Sequence, residues 1–111
     1  MTPARLDERV QRLLGRLAEG LRRLYGDRLR GVYVFGSYAR GAADPESDLD
    51  VLVVLEDLAR YGDEVDRTSE LVGEVSLEYG IAVSRVFVRE REWREAASAF
   101  LANVRDEAVR V

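Results

Sequence analysis

Four residues in this chain have the types and spacing to do chemistry together: Gly36, Ser37, Asp48 and Asp50. They lie in the stretch Val32 to Leu55, which reads V-Y-V-F-G-S-Y-A-R-G-A-A-D-P-E-S-D-L-D-V-L-V-V-L. Side chains two apart on a strand leave from the same face. Asp48 and Asp50 therefore project together as a carboxylate pair, at the mouth of a run that is otherwise Val and Leu. Two carboxylates about 4 Å apart repel by roughly 4 kcal/mol at a surface-like effective dielectric. Screening by water or a shared cation relieves that repulsion, and oxygen-only ligands suit Mg²⁺ or Mn²⁺.

The link between the two apolar runs supplies the complement. Gly36 permits a sharp turn and a close backbone approach. Ser37 has the side chain of an N-cap for a short helical turn through Tyr38, Ala39 and Arg40. Free N–H groups at such a turn favour anions, phosphate above all. Ten residues between Ser37 and Asp48 are too few for a parallel crossover, so the two strands are expected to be antiparallel. The end of the first then lies beside the start of the second, and phosphate cradle and metal carboxylates meet at one sheet edge.

The composition removes competing chemistries. With no Cys there is no disulfide or thiol nucleophile. With no His there is no Ser-His-Asp triad, imidazole base or ordinary zinc site. All 17 basic residues are Arg, so no lysine is present for a Walker-A loop, a Schiff base or a lysyl-adenylate. Carboxylate, hydroxyl and guanidinium chemistry remains, which suits metal-assisted phosphoryl or nucleotidyl transfer. A net charge of −4 argues against nucleic-acid binding by phosphate neutralisation. No apolar run approaches a membrane span and no leader pattern opens the sequence, so a cytoplasmic setting without membrane contact is expected. The length of 111 residues is read as one domain, residues 1–111.

Around the motif, the pattern predicts an α/β domain with a small mixed three-stranded sheet flanked by helices. Thr2-Pro3 reads as an N-cap with Pro at the first helical position. Leu6, Val10, Leu13, Leu14, Leu17, Leu21 and Leu24 then recur at helical spacing, with a stop near Gly26-Asp27. Gly31 to Phe35 is the first strand, Asp44-Pro45-Glu46-Ser47 a turn that Ser47 helps to shape, and Asp48 to Leu55 the second strand. The near-continuous apolar character of that second strand implies burial on both faces. A helix from about Asp57 to Tyr79, stopped by Gly80, carries Leu58, Tyr61, Val65, Thr68, Val72, Val75 and Tyr79 on one stripe. Ile81 to Val88 is the third strand, returned parallel to the second by the long crossover, so its start also lies at the active edge. Arg89 to Ala97 and Ser98 to Glu107 read as one or two short helices. The apolar residues from Trp93 to Val111 cap the third strand or form an exposed patch for a partner.

Phe35-Gly36-Ser37, ten residues, then Asp48-Leu49-Asp50-Val51 resembles the signature of the nucleotidyltransferase superfamily related to DNA polymerase beta. The string G-S-Y-A-R-G…S-D-L-D looks most like the minimal nucleotidyltransferases of prokaryotes. The resemblance implies the polymerase beta-like nucleotidyltransferase fold. It also implies that Gly36 and Ser37 hold the phosphates of a nucleoside triphosphate, with ATP the expected donor, and that Asp48 and Asp50 bind Mg²⁺ and are catalytic. Arg40 either touches a phosphate or pairs with Asp48 or another local acid. Active members usually carry a third carboxylate on the third strand. Here Ser84 or Arg85 holds that position, no acid lies between Ile81 and Arg89, and Glu78 and Glu90 only flank it. The family's usual companion is a HEPN-type helical protein, toxin to the nucleotidyltransferase as antitoxin. Two functions follow: transfer of a nucleotidyl group to a hydroxyl of that partner, or a weakened, nucleotide-binding module that silences it by contact.

Overall fold

A computed structural model describes residues 6–111; the proposed Thr2-Pro3 cap lies outside them. The described first helix, α1 (Glu8–Tyr25), takes its cap from Asp7, whose carboxylate accepts the Val10 N–H at 2.9 Å. Its buried stripe runs Val10, Leu13, Leu14, Leu17, Ala18, Leu21 and Tyr25. Leu24, expected inward, is 43% exposed. Tyr25 takes the inward place because its ring can bury while its hydroxyl finds a partner, donating to Glu64 at 2.7 Å. Gly26, at φ 56°, stops the helix and leads into a 3₁₀ turn, Gly26–Arg28.

The remaining elements alternate as the apolar pattern implies. Strand β1 (Leu29–Phe35) is followed by the single turn α2 (Ser37–Arg40) and strand β2 (Leu49–Leu55). Helix α3 (Tyr61–Tyr79) ends on Gly80 in the left-handed region at φ 66° and returns the chain to β3 (Val83–Arg89). Short helices α4 (Glu90–Glu95) and α5 (Ala99–Glu107) lead to β4 (Val109–Arg110). The sheet order is β3-β2-β1-β4, with β1 antiparallel to β2 and β4, and β2 parallel to β3. The sheet thus has four strands, not the three read from the sequence. β4 is two residues long and has no alternating run of its own; it exists because β1 offers an unpaired edge. Tyr33 faces Arg110 and Val34 faces Val109 across that edge, and the Val111 N–H donates to the Val32 carbonyl at 2.9 Å.

β2 is buried on both faces. Leu49, Val51, Val53 and Leu55 pack with the leucines of α1 and with Val72 and Val75 of α3. Leu52 and Val54 face the other way, against Val88 and against Leu101 and Val104 of α5, with Tyr33, Phe35 and Trp93 around them. The C-terminal apolar residues therefore lie over a sheet face that includes Val86 and Val88 of β3, and also along the β1 edge. Full burial of a Val or Leu side chain is worth about 1.5–3 kcal/mol, so Leu101 and Val104 are the main anchors of α5. Phe100 and Val111, at 47% and 40% exposure, remain largely open to solvent.

Glu64 is a departure from the predicted apolar stripe of α3, being 4% exposed. It accepts from Tyr25 at 2.7 Å and from Arg67 Nε at 3.0 Å, tying α3 to α1. Burial pushes its carboxyl up, but those two hydrogen bonds and the Arg67 charge outweigh burial and hold it below the ordinary glutamate range. Among the described residues no helix is long and apolar enough to cross a membrane.

Candidate functional site

The register of the sheet decides what meets what. Phe35, the last residue of β1, stands opposite Asp50 of β2, and Asp50 stands opposite Ser84 of β3. Residues opposite one another share a face. Phe35, Asp50 and Ser84 thus form one row across three strands, on the face that also carries Leu52 and Val54. Asp48 precedes β2 and is exposed, while Asp50 is half-buried. The Leu49 N–H between them donates to the Ala82 carbonyl at 2.8 Å, fixing the mouth of β2 against the chain entering β3.

Gly36 makes the turn that completes the row. Its φ of 76° and ψ of −154° lie in a region essentially closed to residues with a side chain. A Cβ there would also collide with the Asp50 carboxylate. The backbone of the turn is therefore laid directly against the acid. Gly36, not Ser37, occupies the cap position of α2, and no side chain caps that turn. The positive φ at Gly36 lets glycine take the non-helical place, which moves Ser37 to the first helical residue. The turn closes on itself: Arg40 N–H donates to the Gly36 carbonyl at 3.1 Å and Ala42 N–H to the Ser37 carbonyl at 2.9 Å. Ala39 is buried beneath it, and Gly41 at φ 72° ends it. The link back to β2 is held by Ser47, whose hydroxyl accepts the Asp44 N–H at 3.0 Å.

Charge accumulates at this edge. Burial, then the charge on Asp48, push the Asp50 carboxyl above the ordinary aspartate range; Arg40 pulls it down and Glu107 pushes it up. Glu107 was invisible in the sequence, 71 residues from Gly36 and at the far end of α5. Its Oε2 accepts the Gly36 N–H, and its carboxylate pairs with Arg40 Nη1 at 3.2 and 3.3 Å. Of the partners open to Arg40, the structure places it on Glu107. The two flanking acids go elsewhere, Glu78 to Arg16 and Glu90 to Arg30. Ser84 is the third-strand residue beside Asp50. Arg85 faces α3 instead, donating to the Val65 carbonyl at 2.7 Å and to Thr68 Oγ1 at 3.0 Å.

Among the described residues no three acidic side chains converge as a metal cluster. A two-carboxylate donor set still fits Mg²⁺, which is commonly held by one or two carboxylates and completed by water and substrate phosphates. Asp48 and Asp50 are the residues that would hold it.

Residues 14–107 match the nucleotidyltransferase domain family. The chain belongs to that family. Its sequence is 33% identical over 91 residues to a Methanocaldococcus jannaschii protein assigned as a protein adenylyltransferase, covering 78% of this chain and 60% of that one. The chain thus spans about three fifths of the length of that relative. In structure it matches a Sulfolobus solfataricus protein assigned as a nucleotidyltransferase, with a TM-score of 0.67 at 19% identity, over 99% of this chain and 87% of the other. It also matches a chain of the complex of the tri-AMPylated Shewanella oneidensis HEPN toxin with its MNT antitoxin. That match has a TM-score of 0.57 at 20% identity and covers 90% of this chain and 69% of the other. At these identities the structural likeness shows the fold, which is the polymerase beta-like nucleotidyltransferase fold. The Gly36-Ser37 turn and the Asp48/Asp50 pair fall within the matched span.

Proposed function

We propose that this nucleotidyltransferase is a Mg²⁺-dependent enzyme that takes ATP and transfers AMP to a hydroxyl on a HEPN-like helical protein, as the antitoxin of a toxin–antitoxin pair in the cytoplasm. The observation that carries this reading is the packing of the Gly36 turn against Asp50. It lays the backbone of that turn against the Asp50 carboxylate, with Asp48 two residues earlier in the chain, at one sheet edge. Gly36 and Ser37 hold the β- and γ-phosphates through backbone N–H groups and the Ser37 hydroxyl. Arg40 offers its guanidinium to the same charge, and Asp48 and Asp50 hold the metal. When bound, Mg²⁺ polarises the α-phosphate and stabilises the leaving pyrophosphate. The acceptor oxygen bonds to the α-phosphorus as the bond to the β-phosphate oxygen breaks. The acceptor's proton passes to water or to a substrate phosphate, since Ser84 rather than a third-strand acid stands opposite Asp50.

The AMP-bearing toxin of the Shewanella complex and the adenylyltransferase assignment of the Methanocaldococcus relative support the choice of AMP and of a protein acceptor. A second reading is favoured by Ser84, which stands beside Asp50 where active relatives are expected to place an acid. On that reading the domain binds nucleotide and silences its partner by contact.

Differential scanning fluorimetry tests the shared premise. A ligand at about 100 times its Kd stabilises a fold by roughly 2.7 kcal/mol, and each kcal/mol moves the melting point of a domain near this size by about 4–8 °C. Mg-ATP should therefore raise Tm by about 10 °C or more at saturation, and Asp48→Asn should lose the shift. No shift at millimolar Mg-ATP overturns the site. Label from [α-³²P]ATP on a purified HEPN-like partner, abolished by Asp50→Asn, separates transfer from silent binding.

A further inference from the structure

We propose that the Glu107 carboxylate is a built-in occupant of the phosphate seat, which a nucleoside triphosphate must displace, together with the C-terminal end of α5, in order to bind. The inference rests on the nucleotide reading above and adds to it a self-blocking contact within the chain. An anionic group already sits where the phosphates are needed. Glu107 accepts the Gly36 N–H and engages Arg40, which are two of the donors that the nucleotide would use. The Gly36 N–H cannot serve a carboxylate and a phosphate fully at once, because it has one direction in which to donate, while Arg40 has only its Nη1 turned to Glu107.

Charge makes co-occupancy worse. The Glu107 carboxylate sits on the Gly36 N–H, the Asp50 carboxylate lies against the same glycine, and Arg40 pairs with Glu107. A bound triphosphate would add several negative charges to the same few ångströms. Departure of Glu107 relieves that repulsion and frees both donors in one move.

The segment carrying Glu107 is built so that it can leave. α5 is nine residues long, Leu101 and Val104 are its buried anchors, and Glu107 is its last residue. Beyond it, β4 pairs with only two residues of β1. A reporter lies beside it: Trp93, the only tryptophan, has the Arg105 guanidinium 5.7 Å from its ring and the Tyr33 ring tilted against it at 4.8 Å between centroids. Arg105 Nη1 also donates to the Arg94 carbonyl at 2.7 Å. Movement of the end of α5 alters the surroundings of that indole.

The test titrates Mg-ATP, and separately Mg-pyrophosphate, into the full chain and its Glu107→Gln and Glu107→Asp variants, by calorimetry and by Trp93 emission. Freeing a charge-assisted contact that is partly solvent-screened should tighten binding about threefold to tenfold. Gln removes the charge. Asp keeps it but is shorter by one C–C bond, about 1.5 Å, and loses the span to the Gly36 N–H. Both variants should bind both ligands more tightly, and wild-type emission should change on saturation. A gain with Gln alone makes the effect one of net charge and overturns the contest for the seat. Equal or weaker binding by both variants, while the wild type binds, also overturns it and makes Glu107 a positioning residue for Arg40. Unchanged emission at calorimetric saturation overturns the movement of α5. If neither wild type nor variants bind either ligand, the nucleotide reading itself falls and this inference with it.

Discussion

Gly36→Ala should damage the fold and the site together, and the two parts can be separated. At φ 76° and ψ −154°, a residue with a Cβ pays about 1–3 kcal/mol in backbone strain. The new methyl also meets the Asp50 carboxylate, which must swing out of its well at about 0.5–1.5 kcal/mol. Together the substitution costs about 2–4 kcal/mol. At about 4 °C per kcal/mol, the lower end for a chain slightly larger than 100 residues, that lowers Tm by roughly 8–16 °C.

Urea unfolding followed by circular dichroism measures the free-energy loss, and a double-mutant cycle divides it. In an Asp50→Ala background the backbone strain remains but the collision is gone. Gly36→Ala should therefore cost about 1 kcal/mol less there than in the wild type. A total loss below about 1 kcal/mol would refute the strained dihedral. A loss identical in both backgrounds would refute the contact between the Gly36 turn and Asp50.

Tyr25→Phe leaves the buried Glu64 carboxylate short of one donor and should cost about 1–3 kcal/mol in urea unfolding. Because the folded Glu64 carboxyl is held low, its contribution is present above the usual glutamate range and lost as pH falls through the folded value. Glu64→Gln should accordingly lose less stability than wild type between neutrality and acid. Asp50 has the opposite sign: its carboxyl is raised, so the ionised form disfavours the fold and its contribution disappears as pH rises through the folded value. Metal-free Asp50→Asn should melt higher than wild type at neutral pH, yet gain nothing from Mg-ATP. Ser84→Asp, which places a carboxylate opposite Asp50, should lower metal-free Tm and recover part of it with Mg²⁺.

The motif was readable because local spacing alone determines it. The Gly36 turn, the short link and the parity of Asp48 and Asp50 dictate antiparallel β1 and β2, whatever the rest of the chain does. The parallel return of β3 followed from the length of α3, and it put Ser84 at the active edge. The features that escaped depend on distant parts of the chain. Tyr25 displaced Leu24 from the core because Glu64, 39 residues on, offers its hydroxyl an acceptor. β4 has no strand pattern of its own and borrows its conformation from β1. Glu107 carries no local signal at all; only the packing of α5 on Leu52, Val54 and Val88 brings its carboxylate to Gly36.

That packing follows from the parity of β2. Its odd-numbered residues, Leu49 to Leu55, face α1 and α3, so its even-numbered ones share a face with Asp50. An α-helix that buries Leu52 and Val54 must therefore lie on the side where the acids point. With α5 there, the end of β2 already holds Asp48, Asp50 and Glu107 against Arg40. A further carboxylate at position 84 would join three acids balanced by one guanidinium, whereas a hydroxyl adds no charge. The Ser84 row and the Glu107 contact are then two sides of one electrostatic arrangement. A small polar residue beside Asp50 keeps this edge tolerable while the Glu107 carboxylate from α5 takes the Gly36 N–H and Arg40. Any acid introduced at Ser84 should be tolerated best when Glu107 has been displaced or neutralised.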